Sequence, residues 1–69
     1  MVEVFKTNVK EEEQSKLLIE ELLCHFPNSK INFDLDDCDK ILRIEAEEIP
    51  PQAIIDLLNK KSYDAEILT

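Results

Sequence analysis

The 69-residue chain contains no glycine, so every turn must be built by Asn, Asp, Ser or Pro. No apolar run approaches the ~20 residues needed to span a bilayer. The N-terminal MVEVFKT lacks the core of a signal peptide, so a cytoplasmic protein is expected. Bases are scarce. Sixteen acids against eight Lys and Arg leave a net charge of −8. Nucleic-acid binding depends on cations that neutralise phosphates, so a nucleic-acid partner is excluded. An anionic membrane surface is disfavoured for the same reason. The charge favours solubility and basic partners. Soft ligands are few: Cys24, Cys38 and the single His25. In a cytoplasmic chain the two thiols are expected to be reduced.

What is present makes one domain, residues 1–69. A chain this short buries only ~60% of its unfolded surface, so its margin of stability is thin. The apolar fraction, 43%, is ordinary for a folded domain and speaks against disorder.

Residues 2–9, VEVFKTNV, are rich in β-branched and aromatic types and predict a strand. From Glu11 to Phe26 the period changes. Leu18, Leu22 and Phe26 recur every fourth residue with Ile19 and Leu23 beside them, which predicts an amphipathic helix. Glu11, Glu12 and Glu13 fall in its first turn, where the helix dipole favours negative charge. Pro27-Asn28-Ser29 ends it. Residues 30–36 alternate, with Ile31, Phe33 and Leu35 on one face. Asp37-Cys38-Asp39-Lys40 is a polar turn. Residues 41–46 alternate again, with Leu42, Ile44 and Ala46 together. A four-residue hairpin loop sets Leu35 opposite Leu42, Phe33 opposite Ile44 and Asp34 opposite Arg43. The last of these is an exposed pair worth ~0.2–1 kcal/mol. Ile49-Pro50-Pro51 opens a second helix, because proline suits a first turn whose N–H groups are unpaired anyway. Ile54, Leu57 and Leu58 form its core face, with Ala53 and Ile55 flanking. Lys60 and Lys61 sit in its last turn. Residues 63–68 alternate as a last strand, with Tyr63, Ala65 and Ile67 on one side.

The order βαββαβ in a chain this short predicts an α+β ferredoxin-like sandwich. Right-handed crossovers put two helices on one face of a four-stranded antiparallel sheet, and the other face is left to water.

With these elements placed, the chain resembles the heavy-metal-associated (HMA) domains, the small modules of copper chaperones and metal-transporting ATPases. FKTNVK is similar to the strand that leads into that family's metal loop. FPNSKINFDLDDCDKILRIEA is similar to its second and third strands with their hairpin. IPPQAIIDLLNKKSYDAEIL is similar to its second helix and last strand, where the family usually has glycine before the aromatic and this chain has Ser62-Tyr63. The family's ligand motif is MxCxxC, two thiolates that grip soft Cu(I) or Zn(II). Laid on this chain from the N-terminal side, the methionine falls on Val9 and the cysteines on Glu11 and Gln14. Counted back from Pro27, the cysteines fall on Glu12 and Ser15. Both thiolates are missing in either register, so the resemblance carries the fold and not the metal, and no cofactor is expected.

The remaining clusters are weak. Glu11, Glu12 and Glu13 point ~100° apart on a helix, so at most two converge on one cation, and such sites bind poorly without an ordered cage. Cys24 and Cys38 lie at opposite ends of the second strand, ~20 Å apart. That excludes an internal disulfide, which needs Cα atoms within ~7 Å. Cys24 is expected in the core or at its boundary, and Cys38 exposed. A metal held by Cys38 would have to be shared between chains. Asp34, Asp36, Ile41 and Glu45 match positions of a calcium loop. Its essential glycine is replaced by Asp39, a further ligand position holds Cys38, and the flanks read as strands. His25 lacks a nucleophile and an orienting acid, and acylphosphatases, which share the fold, need an arginine cradle where this loop is acidic. A non-enzymatic protein is expected.

One feature points to a partner. With Phe5, Thr7 and Val9 facing the helices, Val2, Val4, Ile41 and Leu68 fall on the open sheet face as a candidate interface for another protein or a second copy. The first reading is therefore an HMA-like interaction module without its metal cysteines. The alternative is a metal-binding or transfer protein that uses non-standard ligands.

Overall fold

A computed structural model describes residues 1–36 and 38–68. Its elements are β1 (Val2–Thr7), α1 (Glu12–His25), β2 (Lys30–Asp34), β3 (Ile41–Glu45), α2 (Pro51–Lys60) and β4 (Ala65–Ile67). The strands form one antiparallel sheet in the order β2-β3-β1-β4. The fold is α+β and has the ferredoxin-like arrangement. β1 and β3 are central, and their inward residues Phe5, Leu42 and Ile44 are almost fully buried. Leu18 and Leu22 of α1 and Ile54 and Leu58 of α2 pack in the same cluster, so both helices cover one face of the sheet. Each fully buried side chain of this kind stabilises the fold by ~1.5–3 kcal/mol relative to exposure.

The first helix begins one residue later than expected, at Glu12, with Glu11 as its N-cap and not in its first turn; the second opens at the expected prolines. Pro51 is the first residue of α2, with Pro50 before it. Lys60 lies in the last turn, and Lys61 forms the cap just beyond it. That end closes with two reciprocal bonds. The Tyr63 N–H donates to the Leu58 carbonyl (2.9 Å) and the Ser62 N–H to that of Asn59 (2.9 Å). This closure needs a left-handed residue, and Ser62 supplies it with φ 72°. Glycine would sit there without strain. Ser62→Gly is therefore expected to stabilise the protein by ~1 kcal/mol and to raise Tm by ~4–8 °C in a thermal melt.

The hairpin differs from the expectation. Phe33 stands opposite Leu42, Ile31 opposite Ile44, Asn32 opposite Arg43 and Asp34 opposite Ile41. The pairing is thus slipped by two residues, and Asp34 does not face Arg43. A slip of two leaves every side chain on its own face, so alternation alone cannot distinguish the two registers. Leu35 and Asp36 leave the strand for a longer connection. Three contacts hold it. Lys40, in a left-handed conformation (φ 49°), folds its Nζ back onto the Leu35 carbonyl at 2.8 Å. The Thr7 Oγ1 donates to the Lys40 carbonyl at 2.6 Å. The Thr7 N–H points at the Asp39 and Lys40 carbonyls, both at 3.2 Å. Asp37, part of the polar turn, lies outside the described residues.

Three smaller corrections follow. β1 ends at Thr7 instead of residue 9, and β4 is only Ala65–Ile67, because Tyr63 is taken up in closing α2. Cys24 is exposed, not a boundary residue, since it lies two positions beyond Leu22 and so leaves the buried stripe of α1.

Candidate functional site

Two surfaces carry the residues singled out from the sequence. The first is the loop from β1 into α1, where the family's metal motif would lie. Its anchor is Thr7, 7% exposed, whose Oγ1 also accepts the buried Val9 N–H at 3.3 Å. Val9 itself is fully buried and plugs the loop into the core. Asn8 fastens the other side. Its Oδ1 accepts the Asp64 N–H at 2.9 Å, and its Nδ2 donates to the Asp64 carboxylate at 3.3 Å.

The helix start that follows uses its polar groups on itself. Glu11 is the N-cap residue, one position before the first turn, and its N–H donates to Gln14 Oε1 at 3.4 Å. The Ser15 Oγ donates to the Glu12 carbonyl at 2.6 Å, and Ser15 is 4% exposed. The two registers of the lost motif are therefore unequal. In the first, Glu11 is exposed and Gln14 is half-buried, its side chain turned back to the Glu11 backbone N–H; in the second, Glu12 is exposed and Ser15 is buried under the helix. A carboxylate and an amide oxygen are hard donors and do not fit a soft thiolate-seeking cation. Among the described residues, no three His, Cys, Asp or Glu side chains are grouped closely enough to hold an ion. Cys24 and Cys38 are both free and exposed. Cys38 belongs to the turn that Thr7 pins at the end of β1, and Cys24 lies at the far end of α1. His25, also exposed, has Nε2 3.9 Å from Glu21, which in turn lies 3.8 Å from Lys61. Asp34 and Glu45, from the apparent calcium loop, lie on neighbouring strands of the sheet.

The second surface is the open sheet face. Across the strands it presents three rows. Lys30, Glu45 and Val2 form one; Asn32, Arg43, Val4 and Leu68 the next; Asp34, Ile41, Lys6 and Glu66 the third. The Leu68 N–H donates to the Val4 carbonyl at 2.9 Å, which seats Leu68 beside Val4. Val2 is 52% and Leu68 40% exposed, and Val4 is half-buried. Ile41 departs from the expectation. It occupies this face but is only 8% exposed, so it offers no contact area. It starts a central strand, with Asp34 and Lys6 on its two sides and the Leu35–Lys40 connection beside it.

The sequence reading passed over a third feature. Leu17 is 67% exposed and, with Gln14, Glu20, Cys24, Lys61 and Tyr63, lines a shallow groove of about 470 Å³ along α1. Its position one residue before the buried Leu18 turns it ~100° out of the core stripe, which was the available signal. No helix among the described residues is long and apolar enough to cross a membrane.

No known protein family, no characterised protein and no solved structure matches this chain.

Proposed function

We propose that this protein is a small, non-catalytic, HMA-like interaction module whose metal-binding cysteines have been replaced, and that it works by docking its open sheet face on a protein partner. The observation that carries the reading is the state of the β1–α1 loop. Its polar groups are spent on holding the loop: Thr7 on Lys40 and Val9, Asn8 on Asp64, Gln14 on the Glu11 N–H. What remains pointing outward is Lys10 and the carboxylates at a helix N-terminus, where negative charge is stabilising without a ligand. The left-handed Ser62, at the place where the family has glycine, is a second feature in keeping with the resemblance.

If only the ligands are lost, restoring them should restore the chemistry. Neither Glu11 nor Gln14 is buried, so E11C combined with Q14C is expected to bind one Cu(I) tightly. The parent protein is expected to leave Cu(I) with a competing chromophoric chelator. Cu(I) withdrawn from the chelator by the unsubstituted protein would defeat the proposal and favour metal transfer through non-standard ligands. The double variant failing to bind would show that the loop is not built on the metal-loop plan.

A further inference from the structure

We infer that the occupant of the open sheet face is a second copy of this chain, an inference that rests on the interaction reading above. The ground is charge. Of sixteen acids and eight bases, three of each lie within the paired strands of this face: Asp34, Glu45 and Glu66 against Lys6, Lys30 and Arg43. Thirteen acids and five bases are left for the rest of the molecule, so the paired strands of this face are neutral. Asp39 at the border, 3.8 Å from Lys6, brings the face with its border to −1, against −7 for the remainder. Two copies approaching by any acidic surface repel each other. The neutral face is where that repulsion is least, and it also carries the exposed Val2 and Leu68 with the half-buried Val4.

One charge pair of the face is also self-complementary. Lys30 and Asp34 stand at opposite ends of β2. A two-fold axis crossing the strands along the Asn32–Arg43–Val4–Leu68 row lays Lys30 of each copy over Asp34 of the other, and brings Val4 and Leu68 against their own mates. The same operation sets Arg43 against its mate and lays Lys6 over Val2 and Glu45 over the buried Ile41, all of which oppose association. The face is also small. Four strands ~4.8 Å apart and five residues of ~3.3 Å give ~300 Å² per copy, well under the ~800 Å² of a standard interface. The dimer is therefore weak and reversible. It should tighten about tenfold when salt rises from ~0.01 to ~0.15 M, because screening reaches the −8 repulsion between copies before it reaches close pairs.

Sedimentation equilibrium of the reduced protein, from ~10 µM to ~1 mM, tests this directly. The expected result is monomer at the low end and substantial dimer at the high end. K30E should weaken association at least tenfold, and K30E combined with D34K should restore it. K16E makes the same charge change on exposed Lys16 of α1, away from the face, and should have a much smaller effect. Circular dichroism establishes that each variant is folded. Monomer throughout, or equal weakening by K30E and K16E, would overturn the second copy. Neither result touches the interaction reading, which falls instead to retained metal.

Discussion

Phe5→Ala is expected to remove most of the protein's stability. Phe5 is fully buried on a central strand, between Leu42 on one side and Ile67 on the other. Truncating such a ring costs ~3–5 kcal/mol, the lost transfer energy plus the cavity left behind. A domain of this length has only ~3–10 kcal/mol in total. In urea the unfolding midpoint should fall by ~2 M or more, given an m-value of ~1–1.5 kcal/mol/M for a small protein, and at the low end of that stability range the variant would be largely unfolded without denaturant. Phe33→Ala is the internal comparison. Phe33 is half-buried on edge strand β2, so less apolar area is lost and the cavity opens to water. It should cost about half as much or less. Equal losses from the two would contradict the placement of the core.

Thr7→Val is expected to cost ~1–3 kcal/mol although it barely changes shape. The hydroxyl has two partners. It donates to the Lys40 carbonyl at 2.6 Å and accepts the Val9 N–H at 3.3 Å. Valine leaves the buried Val9 N–H without an acceptor, and an orphaned buried donor costs far more than an average hydrogen bond contributes. The Lys40 carbonyl keeps the Thr7 N–H at 3.2 Å, so it suffers less. Thr7→Ser keeps the hydroxyl and should recover most of the loss. Urea titration gives the free energies. Amide exchange gives the location, because Val9 should exchange faster in the valine variant and near its parent rate in the serine one. A neutral Thr7→Val would mean that Val9 packing, the Asn8–Asp64 bonds and the residue-7 N–H hold the loop without the hydroxyl.

The fold was largely legible because two periods are written plainly in this chain. The recurrence of Leu18, Leu22 and Phe26 at every fourth residue and the alternations Ile31-Phe33-Leu35 and Leu42-Ile44-Ala46 each identify the core-facing side; Leu18, Leu22, Leu42 and Ile44 are buried, and Phe26, Ile31, Phe33, Leu35 and Ala46 are half-buried against them. Ile49-Pro50-Pro51 marked the opening of the second helix, whose first residue is Pro51. Pattern could not fix the hairpin register, because a two-residue slip preserves both faces. The decision rests on Lys40, whose left-handed backbone and bond to the Leu35 carbonyl no periodicity reveals. Exposure was similarly out of reach for Cys24 and Ile41. Cys24 lies just off the buried stripe of its helix, and the burial of Ile41 depends on where a neighbouring connection runs. In the loop, composition showed that thiolates were missing. The pinning of Thr7 and the unequal exposure of the Glu11–Gln14 and Glu12–Ser15 pairs come from tertiary contacts with residues more than thirty positions away and from helix phase.

The most direct measurement is a set of native mass spectra of the reduced protein, alone and with Cu(I), Zn(II) and Ca(II) in turn. The account predicts spectra without a stoichiometric metal adduct once a chelator of micromolar strength is present. One metal retained per chain, lost in E11Q or C38S, would contradict it and return the protein to metal handling.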